Sequence, residues 1–362
     1  MRDLSNKRFL LAIIGLMFFI CCKRASEGSA EAAKMIKNTV VADVETVPMS
    51  NCGVNDDAAD DPAIWINSKQ PEESKIIGTN KKGGLAVYNL KGDELFYYPD
   101  GMMNNVDIRY GFPMNSDTID LVACSNRTEH SISFYSINGQ GALKVIPCTM
   151  RSKMKEEVYG FCLAVDLKTN SFYAILNSKA GEVEQWLLVA GEKGNIEAEL
   201  VRSLKINSKT EGVLAHDTSG QLFIGEEEGG IWLTEINHRS VAEPTLLKES
   251  VPGKNKMIRA DIEGLTFYKN YLIASSQGNY SYAVFQLMSP HKYITSFRIV
   301  DGVFDGVEET DGIDATSANL GKDFPNGIFV VQDGFNFDNK KQKRQNFKLV
   351  NWDRIQKLID QQ

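Results

Sequence analysis

Short apolar runs alternate with turn residues along most of this chain, and the alternation predicts β-strands. The runs at residues 64–66, 85–88 and 131–135 are rich in β-branched or aromatic side chains, and Gly, Asn or Asp residues lie between such runs. Long amphipathic helical patterns are absent from the sequence, and a helical turn is expected only at residues 352–355. The chain is therefore predicted to be all-β.

One kind of apolar strand recurs along the chain and ends each time in small or polar residues. Its six copies lie at residues 76–80, 121–126, 173–177, 222–226, 272–276 and 328–332. Their spacing of roughly 45–55 residues is typical of propeller blades. The sequence thus predicts a six-bladed β-propeller with four-stranded antiparallel blades. We expect these six strands to be innermost and to deliver their last residues to one mouth of the central channel.

The first 22 residues are predicted to be a targeting signal. A basic start precedes an apolar stretch at residues 9–20, which is too short to span a bilayer comfortably and is typical of a signal peptide. Cys21 and Cys22 follow and favour lipoprotein processing, although the bulky residues 18–20 are a poor match to the small residues normal there. Plain secretion and an uncleaved anchor are the alternatives.

The sequence divides into a signal peptide at 1–22, a flexible tether at 23–45 and a propeller domain at 46–362. We expect an exported protein, a bacterial lipoprotein in the periplasm or at the outer membrane or else a secreted one, that acts as a monomer. A membrane contact is expected only through the N-terminal lipid. The net charge of −7 argues against general nucleic-acid binding but not against phosphate ligands, because local charge decides such binding.

Four cysteines remain after the signal, and their redox state is open. An exported compartment would permit disulfides among Cys52, Cys124, Cys148 and Cys162, but three of them lie in apolar contexts that suit buried free thiols equally well. The sequence contains no Cys-x-x-Cys spacing, which argues against a zinc ribbon.

Charged residues of both signs follow the six recurrent strands. Basic residues follow the first three strands, and acidic or amide residues follow the last three: Lys81, Lys82, Arg127 and Lys179, then Glu226–Glu228, Gln277 and Gln332–Asp333. Carboxylates also lie at strand entries, namely Asp60, Asp61, Glu211, Asp261, Glu263, Asp311 and Asp314. A mouth that is half basic and half acidic suits a phosphorylated ligand bridged to carboxylates by divalent metal ions.

Nine short blocks, in order along the chain, resemble the β-propeller phytases, which are alkaline, calcium-dependent phytate phosphatases. The blocks are residues 60–65, 80–88, 104–110, 125–127, 157–161, 210–212, 261–265, 274–279 and 311–314, and the resemblance covers about residues 56–353. It implies a phosphoric monoester hydrolase of the 3-phytase type. Such an enzyme converts phytate, the hexakisphosphate of myo-inositol, into lower inositol phosphates and inorganic phosphate.

The resemblance also implies a role for individual residues. Several calcium ions would be held by Asp60, Asp61, Glu211, Glu227, Asp261, Glu263, Gln277, Asp311 and Asp314. Substrate phosphates would be held by Lys81, Lys82, Arg127, Tyr159 and Lys179, and the catalytic set would be Lys81, Arg127, Tyr159, Lys179, Glu211 and Glu227. A water activated by calcium would attack phosphorus without a covalent nucleophile. Ala180 departs from the family, which commonly has an acidic residue after the lysine.

Two alternatives stand beside this interpretation. One is a calcium-stabilised propeller that binds phosphorylated ligands without turnover, and the other is a propeller hydrolase acting on another phosphoester or on a lactone. The sequence lacks the Arg-His-Gly-x-Arg, Cys-x5-Arg and Walker-type motifs of other phosphoryl-transfer mechanisms. A channel mouth with both charge signs favours the enzyme.

Overall fold

The computed structural model of the protein describes residues 28–362, so the predicted signal peptide, Cys21 and Cys22 lie outside the described residues. Within that range, no helix has the length and apolar character needed to cross a membrane. The four cysteines at positions 52, 124, 148 and 162 are all free thiols.

Short antiparallel sheets follow one another along the chain. A helical stretch at residues 28–33 and two short strands, β1 (Asn38–Val40) and β2 (Val44–Glu45), come first. Blade 1 contains β3 (Ala59–Trp65), β4 (Lys75–Asn80), β5 (Gly84–Asn89) and β6 (Glu94–Tyr98). Blade 2 contains β7 (Met103–Met114), β8 (Asp117–Asn126), β9 (Ser131–Ile137) and β10 (Leu143–Ile146). Blade 3 contains β11 (Val158–Asp166), β12 (Ser171–Ser178), β13 (Glu182–Ala190) and β14 (Ile196–Lys205).

The second half of the chain repeats this arrangement. Blade 4 contains β15 (Thr210–His216), β16 (Gln221–Glu226), β17 (Gly230–Glu235) and β18 (Thr245–Leu246). Blade 5 contains β19 (Ile262–Tyr268), β20 (Tyr271–Ser276), β21 (Ser281–Gln286) and β22 (Tyr293–Ile299). Blade 6 contains β23 (Ile313–Thr316), β24 (Ile328–Asp333) and β27 (Asn346–Asn351), with a hairpin of β25 (Phe337–Asp338) and β26 (Lys341–Gln342) between the last two. Short 3-10 turns lie at Pro71–Glu73, Lys248–Ser250 and Gln277–Asn279, and the helix Trp352–Ile359 ends the chain. The six sheets confirm the predicted six-bladed propeller.

The N-terminal strands close the ring. Strand β2 pairs antiparallel with β27 and supplies the fourth strand of blade 6, while β1 pairs parallel with β22 as a fifth strand of blade 5. The predicted tether is therefore wrong for residues 38–45. Val40 and Ala42 are buried in the core between blades 5 and 6. Blade 6 receives only three strands from the end of the chain, and the N-terminal segment supplies the missing outer one.

The core of the described residues consists of six apolar clusters, one between each pair of neighbouring blades. Each blade is buried on both faces because its alternating side chains pack against the blade on either side. Between blades 2 and 3, for example, the rings of Phe112 and Phe172 meet edge to face with centroids 5.2 Å apart. Among the described residues the blade faces are therefore covered by their neighbours, which leaves the channel and its mouths as the places where polar residues of several blades can meet.

The strands that line the channel are not the recurrent apolar ones. Strands β3, β7, β11, β15, β19 and β23 pack against one another around the axis, and β4, β8, β12, β16, β20 and β24 are second in their blades. The prediction that the apolar strands are innermost is wrong, because the second strand is the one sandwiched on all sides. Since first and second strands are antiparallel, the start of one and the end of the other lie at the same mouth. The expected gathering of residues at one mouth therefore remains.

Candidate active site

The innermost strands carry their polar residues at irregular points near their starts. The pairing of the first strand with the second shifts register between Ala59 and Pro62 in blade 1, between Thr210 and Val213 in blade 4, and between Ile262 and Leu265 in blade 5. Similar shifts occur in blades 2 and 3. Such bulges re-aim side chains at strand ends. They contain these site residues: Asp60, Asp61, Asn104, Asn105, Tyr159, Glu211 and Glu263.

A glycine follows the site residue in four consecutive blades, and close packing requires it. A Cβ atom on Gly160 would lie 1.7 Å from the carbonyl oxygen of Glu211, and one on Gly212 would lie 2.1 Å from that of Glu263. Gly264 and Gly312 abut the next blade in the same way. Asn177 ties two of these points together, because it accepts from the Gly160 N–H and donates to the Glu211 carbonyl, both at 2.8 Å. Each blade thus fixes the backbone of the next site residue.

Carboxylates from four blades converge into two triads at this mouth. We define the first triad as Asp60, Glu211 and Asp311, and the second triad as Glu211, Glu227 and Glu263. In each triad, one oxygen from every carboxylate lies within 4.8 Å of the others. All five side chains are buried, and Glu211 belongs to both triads. Two cation sites that share one ligand fit this arrangement.

Several oxygens in the triads have no hydrogen-bond partner among the described residues. Asp60 Oδ2, Glu211 Oε2 and Glu263 Oε2 are buried and unpaired, whereas the other Glu211 oxygen accepts from Asn104 Nδ2 at 2.8 Å. A buried carboxylate oxygen without a partner is costly, and such atoms in native proteins are normally paired or bound to an ion. These unpaired oxygens indicate positions where a cation would bind.

Burial and mutual repulsion raise the pKa values of four triad acids, namely Asp60, Glu227, Glu263 and Asp311. Burial is the larger cause for both Asp60 and Glu263, whose pKa values lie well above normal, and neighbouring carboxylates add to it. The same causes raise the pKa of Glu227 from 4.5 to about 7 and that of Asp311 from 3.8 to about 6, although nearby lysines oppose the change. Without metal, these four carboxyl groups are therefore harder to ionise than exposed ones.

Lys81 lies inside the first triad. Its Nζ is 2.9 Å from Asp60 Oδ1, 3.2 Å from Asp311 Oδ2 and 3.0 Å from an oxygen of exposed Asp57. Burial alone would lower the pKa of Lys81, but the carboxylates, Asp60 first, raise it well above its usual value. The sequence predicted Lys81 as a phosphate ligand, and in this structure its contacts are acidic side chains. Lys82, predicted alongside it, is exposed.

The remaining predicted phosphate ligands form the basic side of the mouth. Arg127 Nη2 lies 2.7 Å from Glu157 Oε2, and Lys179 Nζ lies 3.8 Å from the same oxygen. Lys179 Nζ also stands 4.5 Å from the centre of the Tyr159 ring, and burial raises the pKa of that phenol. Arg127 contacts Asn104 Oδ1 at 3.4 Å, and Asn104 in turn donates to Glu211. The basic and acidic sides are therefore contiguous.

Two charged residues with no predicted role also lie at this mouth. Glu157 joins Arg127 to Lys179, and Lys209 Nζ lies 2.7 Å from Glu227 Oε1. Lys209 immediately precedes the 210–212 block, and Glu157 begins the 157–161 block, so adjacency to a recognised block was the available signal. A single Lys or Glu at a strand entry is more often a solvated residue, which is why the sequence alone did not select them.

The other predicted metal ligands lie next to the triads or line the channel cavity. Asp261 is next to the second triad, where Ile262 N–H donates to the Glu227 carbonyl at 2.9 Å, and Gln277 N–H donates to the Asp261 carbonyl at 2.9 Å. Asp61 accepts from the Val106 N–H at 3.0 Å. Burial, with the charges of Asp314 and Asp311, raises its pKa well above normal.

Asp314 is not brought into either triad. It lines a channel cavity of about 330 Å³, and it accepts hydrogen bonds from Ile64 N–H at 2.8 Å and from Thr266 Oγ1 at 3.1 Å. Its oxygens therefore serve the packing of blades 1, 5 and 6. Asp314 therefore lies outside both triads, on the cavity that Asp61 also lines.

A family model and a curated relative identify the same family for this chain. A family model described as Phytase matches residues 7–362. A 3-phytase from Bacillus subtilis strain 168 is 46% identical over 327 residues, which cover 87% of this chain and 84% of that protein. The crystal structure of regucalcin, a calcium-binding protein from Agrobacterium tumefaciens, has a TM-score of 0.55 at 9% identity and covers 87% of this chain and 96% of that one. The structural likeness shows the propeller fold alone.

Proposed function

The chain belongs to the phytase family and is a phytase-type phosphoric monoester hydrolase, and we propose that its hydrolysis of phytate depends on calcium held at the channel mouth. The observation that carries this proposal is the pair of buried triads that share Glu211 and adjoin the Arg127 side of the mouth. A purely structural ion site would need the carboxylates but not the neighbouring cations.

The donor set fits calcium. All triad donors are carboxylate oxygens, the ligand type that hard cations prefer, and no His or Cys joins either triad. Asp60, Glu211 and Asp311 would hold one ion, and Glu211, Glu227 and Glu263 a second. Asp261 and Gln277, which main-chain hydrogen bonds hold next to Glu227, are our candidates for completing the second set. Calcium bound there would lower the pKa of a water and offset the negative charge of the phosphoryl group.

The protein's own cations bind and orient the substrate in this proposal. The planar guanidinium of Arg127 can donate two parallel hydrogen bonds to one phosphate, and Lys179 beside it adds a point charge. Glu157 holds both groups on the same side of the mouth through its contacts at 2.7 and 3.8 Å. The Tyr159 ring forms one side of the site beside Lys179. Its phenol stays protonated because burial raises its pKa, so it can donate a hydrogen bond. Charge that develops on the phosphoryl oxygens then faces fixed donors.

We further propose that the enzyme is exported and carries an N-terminal lipid. The support is the sequence itself: a basic start, the apolar residues 9–20, and the cysteines directly after them. The described part of the chain begins within the predicted tether. A monomer is proposed because one propeller supplies every residue of both triads.

A substrate comparison tests the proposed function. Calcium-loaded protein should release inorganic phosphate from phytate faster than from glycerol phosphate, because a substrate with several phosphates engages Arg127, Lys179 and the cation sites together. Arg127→Gln should raise KM for phytate by about tenfold, the effect of losing one charge-assisted contact. Tight phytate binding without phosphate release would favour a non-catalytic propeller, and faster release from glycerol phosphate would indicate a different phosphoester as substrate.

A further inference from the structure

Lys209 sits where the acidic and basic sides of the mouth meet. Its Nζ is 2.7 Å from Glu227 Oε1 in the second triad and 5.3 Å from the centre of the Tyr159 ring. Lys179 Nζ is a second neighbour of that ring, at 4.5 Å. Tyr159 is thus flanked by two ammonium groups, one that belongs to the basic side and one that is paired with a triad carboxylate.

The backbone fixes Lys209 at this position while its side chain stays adaptable. Glu227 N–H donates to the Lys209 carbonyl at 3.0 Å, so the two residues are held as neighbours at the start of β15 and the end of β16. The Glu227 side chain is 4% exposed, whereas that of Lys209 is 40% exposed. A lysine with a flexible four-carbon stem can therefore change partners without any movement of the strands.

A divalent cation at the second triad and the ammonium of Lys209 compete for the same carboxylate. Glu227 supplies one of only three triad donors, and its Oε1 faces Lys209. An ion bound to Glu227, Glu211 and Glu263 would place two further positive charges beside the Lys209 ammonium, which lies 2.7 Å from Glu227 Oε1. Like charges that share one carboxylate repel each other strongly where water is largely excluded. Binding of the ion would therefore release Lys209 toward the Tyr159 ring, where it adjoins Lys179.

We propose that Lys209 exchanges partners when the site is loaded: it neutralises Glu227 in the metal-free protein and binds a substrate phosphate once a divalent cation has taken Glu227. This inference rests on the proposed function, because it requires a cation at the second triad. It makes Lys209 both a competitor of calcium and a contributor to phytate affinity. A merely structural ion pair would compete with calcium but would not contribute to phytate affinity.

Lys209→Gln separates these roles. Calcium binding is measured by isothermal titration calorimetry on the full protein without substrate, and KM and kcat for phytate are measured at saturating calcium. The variant should bind calcium at the second triad three- to tenfold more tightly, because no ammonium has to be displaced, a range of about the size that one partly exposed ion pair allows. Its KM for phytate should rise by a similar factor, with kcat changed less.

Two further variants complete the test. Lys144→Gln removes the same charge from an exposed position on β10, the outermost strand of blade 2, and should leave calcium affinity and KM unchanged. Lys209→Arg keeps the charge and should restore KM for phytate toward the wild-type value. Calcium affinity that is unchanged or weaker in Lys209→Gln would overturn this inference alone. A wild-type protein that binds no calcium would overturn the proposed function as well.

Discussion

Glu211→Gln is expected to lower kcat for phytate by about 10²–10³-fold, the range measured when one electrostatic group is removed from an active site. Glu211 is the one carboxylate that belongs to both triads, so its neutralisation weakens two cation sites together. Glutamine matches glutamate in shape, and its carbonyl oxygen can still accept from Asn104 Nδ2, which lies 2.8 Å from Glu211 Oε1. The fold should therefore survive, and the loss should be one of chemistry.

The control for this variant is a glutamate of the same charge outside the mouth. Glu197→Gln changes an exposed residue on β14, the outermost strand of blade 3, and should leave kcat unchanged. Metal-free Glu211→Gln should melt no lower than the metal-free wild type, because the substitution removes one buried charge from a crowded acidic site. Full activity in Glu211→Gln would exclude Glu211 from the metal sites.

Removal of calcium is expected to abolish phosphate release and to lower the melting temperature by at least about 5 °C, since ions that bind only the folded state stabilise it by mass action. The effect on melting should depend on pH. In the metal-free protein the pKa of Glu227 rises from 4.5 to about 7 and that of Asp311 from 3.8 to about 6. These groups therefore stay protonated to a higher pH in the folded state than in the unfolded state. Their stabilising contribution is complete at low pH and is lost as pH rises through this window.

Calcium at the proposed sites should reverse that trend, because it would bind the deprotonated carboxylates. The rise in melting temperature on adding calcium should therefore be larger at pH 8 than at pH 5, as differential scanning calorimetry on calcium-depleted protein can measure. Readdition of calcium should restore activity. An equal melting temperature with and without calcium at pH 8 would contradict this account, and so would phytate turnover that persists after depletion.

The blades were predictable because their signal is local. A few β-branched or aromatic residues between turn residues indicate each strand. The number of blades follows from the repeat that begins at residues 76–80 and 121–126. The same signal misidentified the innermost strand. Burial on all sides makes β4 and its equivalents the most apolar strands, whereas β3 and its equivalents carry polar residues toward the channel.

The strands that close the ring were not predictable from local pattern. Strands β1 and β2 contain three and two residues, and their partners β22 and β27 lie near the opposite end of the chain. A strand of this length has little signal of its own and forms because an exposed sheet edge is available. Pairing over such a sequence separation becomes visible only when the sheet has formed.

Most of the candidate site followed from the resemblance, and its electrostatics did not. The sequence placed Glu211, Glu227 and Glu263 in one set, and the structure brings them together. It did not foresee that the metal-free triads would be neutralised by lysines: Lys81 in the first and Lys209 in the second. Those contacts depend on which oxygen faces which ammonium across blades, and a one-dimensional pattern does not contain that information.

A crystal structure of the calcium-soaked protein, with anomalous scattering data collected for calcium, tests the two triads most directly. We expect two anomalous peaks on either side of Glu211, each about 2.3–2.6 Å from its carboxylate ligands, with the Lys81 and Lys209 ammonium groups displaced from Asp60 and Glu227. A mouth with no anomalous peak at either triad, in crystals soaked at a calcium concentration that supports phytate hydrolysis, would contradict the account.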